Sequence, residues 1–109
     1  MAWHRMGQHT LRISIEPHEE TIAMILEGRV AGPWAAELSR TWAKLAPGMG
    51  TRTLSIDLRN TTYADGQGIL VLRRIYAQAA AKIVTSTPWT QYLAEEVTRA
   101  TLMHHQEEI

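Results

Sequence analysis

The apolar residues of this chain switch repeatedly between two spacings, which restricts the fold to a sheet with helices packed against it. Leu11, Ile13 and Ile15 alternate with Arg12, Ser14 and Glu16, the period of two of an edge strand with one face in water. Pro17-His18-Glu19-Glu20 reads as a turn. Thr21 to Val30 is then apolar at both parities through Ile22, Ala23, Met24, Ile25 and Leu26, which predicts a strand buried on both faces. Gly32-Pro33 opens a helix, because proline is tolerated in a first turn where its missing N–H would have had no partner. Ala35, Leu38, Trp42 and Leu45 follow at spacings of three, four and three, one face of that helix. Pro47-Gly48-Met49-Gly50 stops it.

The pattern then returns to a period of two. Leu54, Ile56 and Leu58, with Ser55 and Asp57 between them, predict a third strand, and Arg59 to Asp65 reads as the loop after it. Ile69, Leu72, Ile75, Tyr76 and Ala79 form the apolar face of a second helix starting just after Gly68, with Arg73, Arg74 and Gln78 on its polar side. Ala80 to Thr85 gives a short strand around Ile83 and Val84. Thr87-Pro88 pairs a capping hydroxyl with proline at the first helical position, and Trp89, Leu93, Val97 and Ala100 supply a third helical stripe. A hairpin followed by strand-helix-strand crossovers gives an α/β fold: a mixed four-stranded sheet with about three helices on it. Residues 1–9 have no period and read as an arm, in which Trp3 and Met6 could dock on a neighbour; residues 10–103 form the domain and 104–109 a charged tail.

Composition narrows the function. The 109 residues leave room for one domain. With no cysteine, a disulfide framework, a zinc-thiolate site and a thiol nucleophile are excluded, and the cytoplasm is the expected address. No apolar run approaches the ~18 residues of a membrane span or the core of a signal peptide. Eleven basic and eleven acidic side chains cancel, so no net field favours nucleic acid or anionic lipid.

Candidate chemistry is sparse. No Gly-X-Ser-X-Gly elbow or comparable nucleophile, base and oxyanion arrangement occurs, so catalysis is not expected. His104 and His105 are adjacent and would point about 100° apart on a helix, while His4, His9 and His18 have no ligand spacing, so no metal is expected. Asp57 ends a central strand as a phosphate-accepting aspartate would, but Leu11 to Ile15 leads into a hairpin without the paired acidic metal ligands such receiver domains need. A capping role suits Asp57 better. Trp34, Trp42 and Trp89 lie on or beside apolar faces and read as core or rim packing. Function in such sheets gathers at the carboxyl ends of parallel strands, here around Asp65 to Gly68. Asp65 suits a helix cap or a partner contact, Gly66 and Gly68 a sharp bend and close approach, and Gln67 a recognition contact. Leu70 and Val71, at least one of them exposed, could join Arg74 in an apolar, Arg-bearing patch beside Gln67.

Three segments carry a resemblance. Leu26-Glu27-Gly28-Arg29-Val30, Ile56-Asp57-Leu58 and Tyr63-Ala64-Asp65-Gly66-Gln67-Gly68-Ile69 are similar, in order and spacing, to the Gly-Glu-Leu-Asp, Val-Leu-Asp-Leu and Phe-Ile-Asp-Ser-Ser-Gly-Leu segments of the STAS family, the sulfate-transporter and anti-sigma-factor-antagonist domain. The likeness runs from about Thr10 to Thr101. It implies a regulatory domain that docks on an anti-sigma kinase or similar regulator through Asp65, Gly66, Gln67, Gly68, Leu70, Val71 and Arg74, with no cofactor. The family alternative is a small accessory subunit bound to the ATPase of an ABC-type membrane transport complex, without itself entering the membrane. Nucleotide or lipid binding, which the family sometimes shows, finds no phosphate-cradling glycine motif here, and a homodimer stays open.

Two departures stand at the position where phosphorylated members of that family receive phosphate. The second serine of the signature is Gln67 and the first is Gly66, while the aspartate usual near the end of strand two is Ala31. An amide cannot accept phosphate and carries none of the charge of a phosphoserine, so no phosphorylation is expected at Gln67. Thr61, Thr62, Ser86 and Thr90 remain as hydroxyls near strand ends. The seven residues after Leu102 are too few for the further strand and helix that longer family members carry.

Overall fold

The computed structural model describes residues 10–107. Strand β1 (Leu11–Pro17) turns back through His18, whose N–H donates to the Thr21 carbonyl, into β2 (Thr21–Val30). The two pair antiparallel, with Ile13 opposite Leu26 and Ile15 opposite Met24. Helix α1 (Pro33–Leu45) and a 3₁₀ turn (Ala46–Gly48) cross to β3 (Thr53–Ala64); α2 (Gly66–Ala79) crosses to β4 (Lys82–Val84); α3 (Pro88–Glu107) follows. The sheet order is β1-β2-β3-β4, with β2·β3 and β3·β4 parallel. Among the described residues the expected α/β architecture, a mixed four-stranded sheet with a leading hairpin and three helices, is the one observed.

One core lies between the sheet and the helices. Ile22, Met24, Leu26 and Val30 of β2 and Leu54, Ile56 and Leu58 of β3 share it with Ala35, Leu38 and Trp42 of α1, Val71, Leu72 and Ile75 of α2, and Leu93 and Val97 of α3. The three helices of the described residues all meet this one core, and the other sheet face carries, among others, Arg12, Ser14, Glu16, Ala23, Ile25, Ser55, Asp57 and Lys82. This corrects the expectation for β2: Ile22, Met24 and Leu26 are buried, but Ala23 and Ile25 are only half-buried because no helix of the described residues covers them.

Three boundaries also differ. Arg59 to Ala64 is not a loop but the second half of β3, held to β2 with two register shifts; Thr61, Thr62 and Tyr63 are β-branched or aromatic and suit a strand. Helix α2 starts at Gly66 rather than after Gly68, and β4 is shorter than Ala80 to Thr85 because Ala80 adopts the left-handed cap of α2 (φ 50°). The expected start of α3 holds: Thr87 Oγ1 accepts from the Thr90 N–H at 3.1 Å, and Thr90 Oγ1 accepts in return from the Thr87 N–H at 3.0 Å. Trp3, Met6, His4 and His9 lie outside the described residues, as do the side chains of His104 and His105.

Candidate functional site

Val30 and Ala64 are register partners, so the chain leaves β2 and β3 at the same edge of the sheet and both following helices start there. Asp65 joins these two starts. Its backbone is extended (φ −94°, ψ −175°), the geometry of a residue just before a helix. Oδ1 accepts from the Gly68 N–H at 2.8 Å, capping α2, while Oδ2 accepts from the Gly32 N–H at 3.0 Å, just before α1. The Asp65 N–H donates to the Val30 carbonyl at 3.3 Å. The Gly68 N–H, and after it the Gly32 N–H, holds the Asp65 carboxyl below its ordinary value of 3.8. A carboxylate with both oxygens engaged is a brace rather than a proton shuttle.

Neither Gly66 nor Gly68 has a positive φ, so the expected sharp bend is absent; both sit in the first turn of α2. Their requirements differ. A Cβ on Gly68 would run into the Val30 carbonyl, whereas one on Gly66 would meet open space. The close approach at Gly68 is therefore internal, helix against strand. Gly32, with φ 55°, is the residue at this edge whose backbone suits glycine best.

Gln67 and Arg74 are exposed, and Leu70 keeps 49% of its surface in solvent. Val71, about 100° from Leu70 on the helix, is 7% exposed and packs into the core, so Leu70 is the exposed member of the pair. Gln67, Leu70 and Arg74, with Val71 beneath them, line a groove of about 640 Å³ shared with Pro33, Ala36 and Arg40 of α1. The contribution of α1 went unread in the sequence, although Ala36, Ser39 and Arg40, three and four apart on the side away from Leu38 and Trp42, carried the signal.

The remaining candidates have structural partners. Asp57 is buried on the face away from the helices and accepts from the Arg59 N–H and Nε, both at 3.0 Å, and from its terminal nitrogen at 2.8 Å. That side-chain pairing lowers the Asp57 carboxyl and outweighs its desolvation. Thr61 and Thr90 are buried, the former donating to the Leu26 carbonyl at 3.0 Å; Thr62 and Ser86 are exposed. Trp42 Nε1 donates to Gln78 at 2.7 Å and Trp89 Nε1 to the Thr61 carbonyl at 2.8 Å, so both are packed and bonded as expected. Arg29 stacks over Tyr63 at 4.3 Å beside the end of β3. Among the described residues no group of three or more acidic, histidine or cysteine side chains could hold a metal, and no helix is long and apolar enough to cross a membrane.

No protein-family model and no curated protein matches the sequence. Solved structures do match. An anti-sigma factor antagonist from Mycobacterium paratuberculosis superposes with a TM-score of 0.70 at 16% identity, over 86% of this chain and 82% of that one. The fold is SpoIIAA-like, the STAS-like fold. The anti-sigma factor antagonist SpoIIAA in its unphosphorylated form aligns at TM-score 0.55 and 12% identity, over 75% of this chain and 80% of its own. A DUF3478-family protein with a SpoIIAA-like fold from Shewanella loihica aligns at 0.55 and 13%, over 80% and 78%. In this fold Asp65 lies between β3 and α2, and Gln67 is in the first turn of α2.

Proposed function

We propose that this domain is a regulatory protein-binding module of the anti-sigma-factor-antagonist kind. It docks on an anti-sigma serine kinase or a similar regulator through the first turns of α2, and it acts by binding rather than by catalysis. The observation that carries this reading is the Asp65 brace. One carboxylate fixes the starts of α1 and α2 against each other and leaves Gln67 and Leu70 outward on a rigid platform, and rigid presentation lowers the entropy lost on binding. Exposed Leu70 flanked by Gln67 and Arg74 has the apolar centre and polar rim of a recognition surface.

Gln67 gives the module a fixed state. It stands where the resembling family carries its phosphoacceptor serine, offers no hydroxyl and is neutral, so the surface keeps the uncharged character of the unphosphorylated form. The test is a tagged pull-down from the native cell extract, comparing wild type with Leu70→Asp and identifying proteins by mass spectrometry. Recovery of an anti-sigma factor or serine-kinase-like regulator by wild type, lost with Leu70→Asp, supports the reading. Recovery of an ABC-transporter ATPase in its place would assign the module to a transport complex, and equal recovery by both proteins would remove the surface.

A further inference from the structure

The groove between α1 and α2 specifies the charge of what enters it. Its floor is apolar: Ala35 and Val71 are 2% and 7% exposed, and Pro33, Ala36 and Leu70 stand along its walls. Among the described residues its ionisable lining is Arg40 and Arg74, with no acidic side chain. Arg74 makes no ion pair among the described residues, and Arg40 has only the Glu37 carboxylate of its own helix at 2.6 Å, an exposed pairing of small net strength. The Glu37 carboxylate offsets Arg40, so the net positive charge over the apolar floor is local to Arg74.

From these features we infer that the groove receives an acidic amphipathic helix of the partner protein, a reading that rests on the proposed function. Two antiparallel or crossing helices leave between them a channel of the width a third helix fills with one row of side chains. An apolar residue of the incoming helix packs between Leu70 and Ala36, covering the exposed half of Leu70. Carboxylates on either side of that row reach Arg74 and Arg40, whose guanidinium groups offer paired donors matching a carboxylate. Gln67, at the end of the groove nearest the Asp65 brace, supplies a neutral donor and acceptor to the end of the helix or a polar side chain. Electrostatic complementarity of this kind raises the association rate and selects among partners.

The test uses the full chain and the regulator recovered by the pull-down, titrated by calorimetry and stopped flow at low and high salt. Arg74→Glu and the double variant Arg40→Glu/Arg74→Glu alter exposed side chains, and circular dichroism reports that each is folded. The expected result is a loss of about tenfold or more in affinity for Arg74→Glu, larger in the double variant, with a flattened salt dependence of the association rate. Partial rescue is expected when Glu residues of the regulator's docking helix are changed to Lys. Unchanged affinity in both variants, with binding still lost in Leu70→Asp, would overturn the acidic-helix inference and leave the proposed function standing. Failure of wild type to bind any such regulator would remove both.

Discussion

The Asp65 carboxylate reaches across 33 residues of sequence to accept the Gly32 N–H at 3.0 Å, while its other oxygen caps α2 at the Gly68 N–H, 2.8 Å away. Two helix starts separated in sequence thus depend on one side chain. Asp65→Ala removes both bonds and is expected to destabilise the domain by about 1–2 kcal/mol, the scale of losing a helix cap. Asp65→Asn, with a single acceptor oxygen, should lie between wild type and Ala. Urea unfolding monitored by tryptophan fluorescence measures both.

The same carboxylate makes stability depend on acid. The folded-state value of Asp65 is lowered by the Gly68 and Gly32 N–H groups, and that of Asp57 by Arg59. A group lowered on folding binds fewer protons folded than unfolded, so its contribution is complete above its ordinary value of 3.8 and is lost as the pH falls through the folded value. The urea midpoint is therefore expected to decline below about pH 4. Asp65→Ala should flatten part of that decline, and Arg59→Met should reduce the share belonging to Asp57.

The glycines of the first α2 turn separate a packing requirement from a tolerant surface. Gly68→Ala sets a Cβ against the Val30 carbonyl, a backbone atom that cannot turn aside, and is expected to destabilise by about 2 kcal/mol or more. Gly66→Ala enters open space in the first helical turn and should leave stability within about 0.5 kcal/mol of wild type. Comparable losses in the two variants would show that helix-strand contact at Gly68 is not what distinguishes them.

Most of the fold was legible because its strands and helices have clean periods. The alternation of Leu11, Ile13 and Ile15, the helical spacing of Ala35, Leu38 and Trp42, and the Thr87-Pro88 start of α3 each rest on local chemistry. What the sequence hid was set by distant contacts. Arg59 to Asp65 looks like a loop until β2 lies beside most of it, and Ile25 looks buried until the helices of the described residues prove to pack on the other face. At the site, Asp65 was readable as a cap from its place before a helical stripe. Its second bond, to Gly32, was not, because nothing local records that β2 and β3 end side by side.

The hydroxyls near the site differ in access, which bears on phosphorylation. Thr61 and Thr90 are buried with their hydroxyls hydrogen-bonded, and Thr62 and Ser86 are exposed. Incubation with a cognate serine kinase and ATP should give no phosphate on the segment from Asp65 to Gly68. Gln67→Ser restores a hydroxyl at an exposed position and is expected to gain phosphate there if the kinase docks as proposed. A phosphopeptide carrying Thr62 or Ser86 in wild type would mean that the module is switchable after all.

The most direct measurement is an equilibrium titration of the purified domain with the regulator recovered from cells, comparing wild type, Gln67→Glu and Leu70→Asp. Docking through the first turns of α2 predicts saturable binding by wild type and a loss of about tenfold or more for Leu70→Asp, which places a charge where an apolar contact is buried. A smaller change is expected for Gln67→Glu at the rim. Equal affinities for all three folded proteins would contradict docking at this surface.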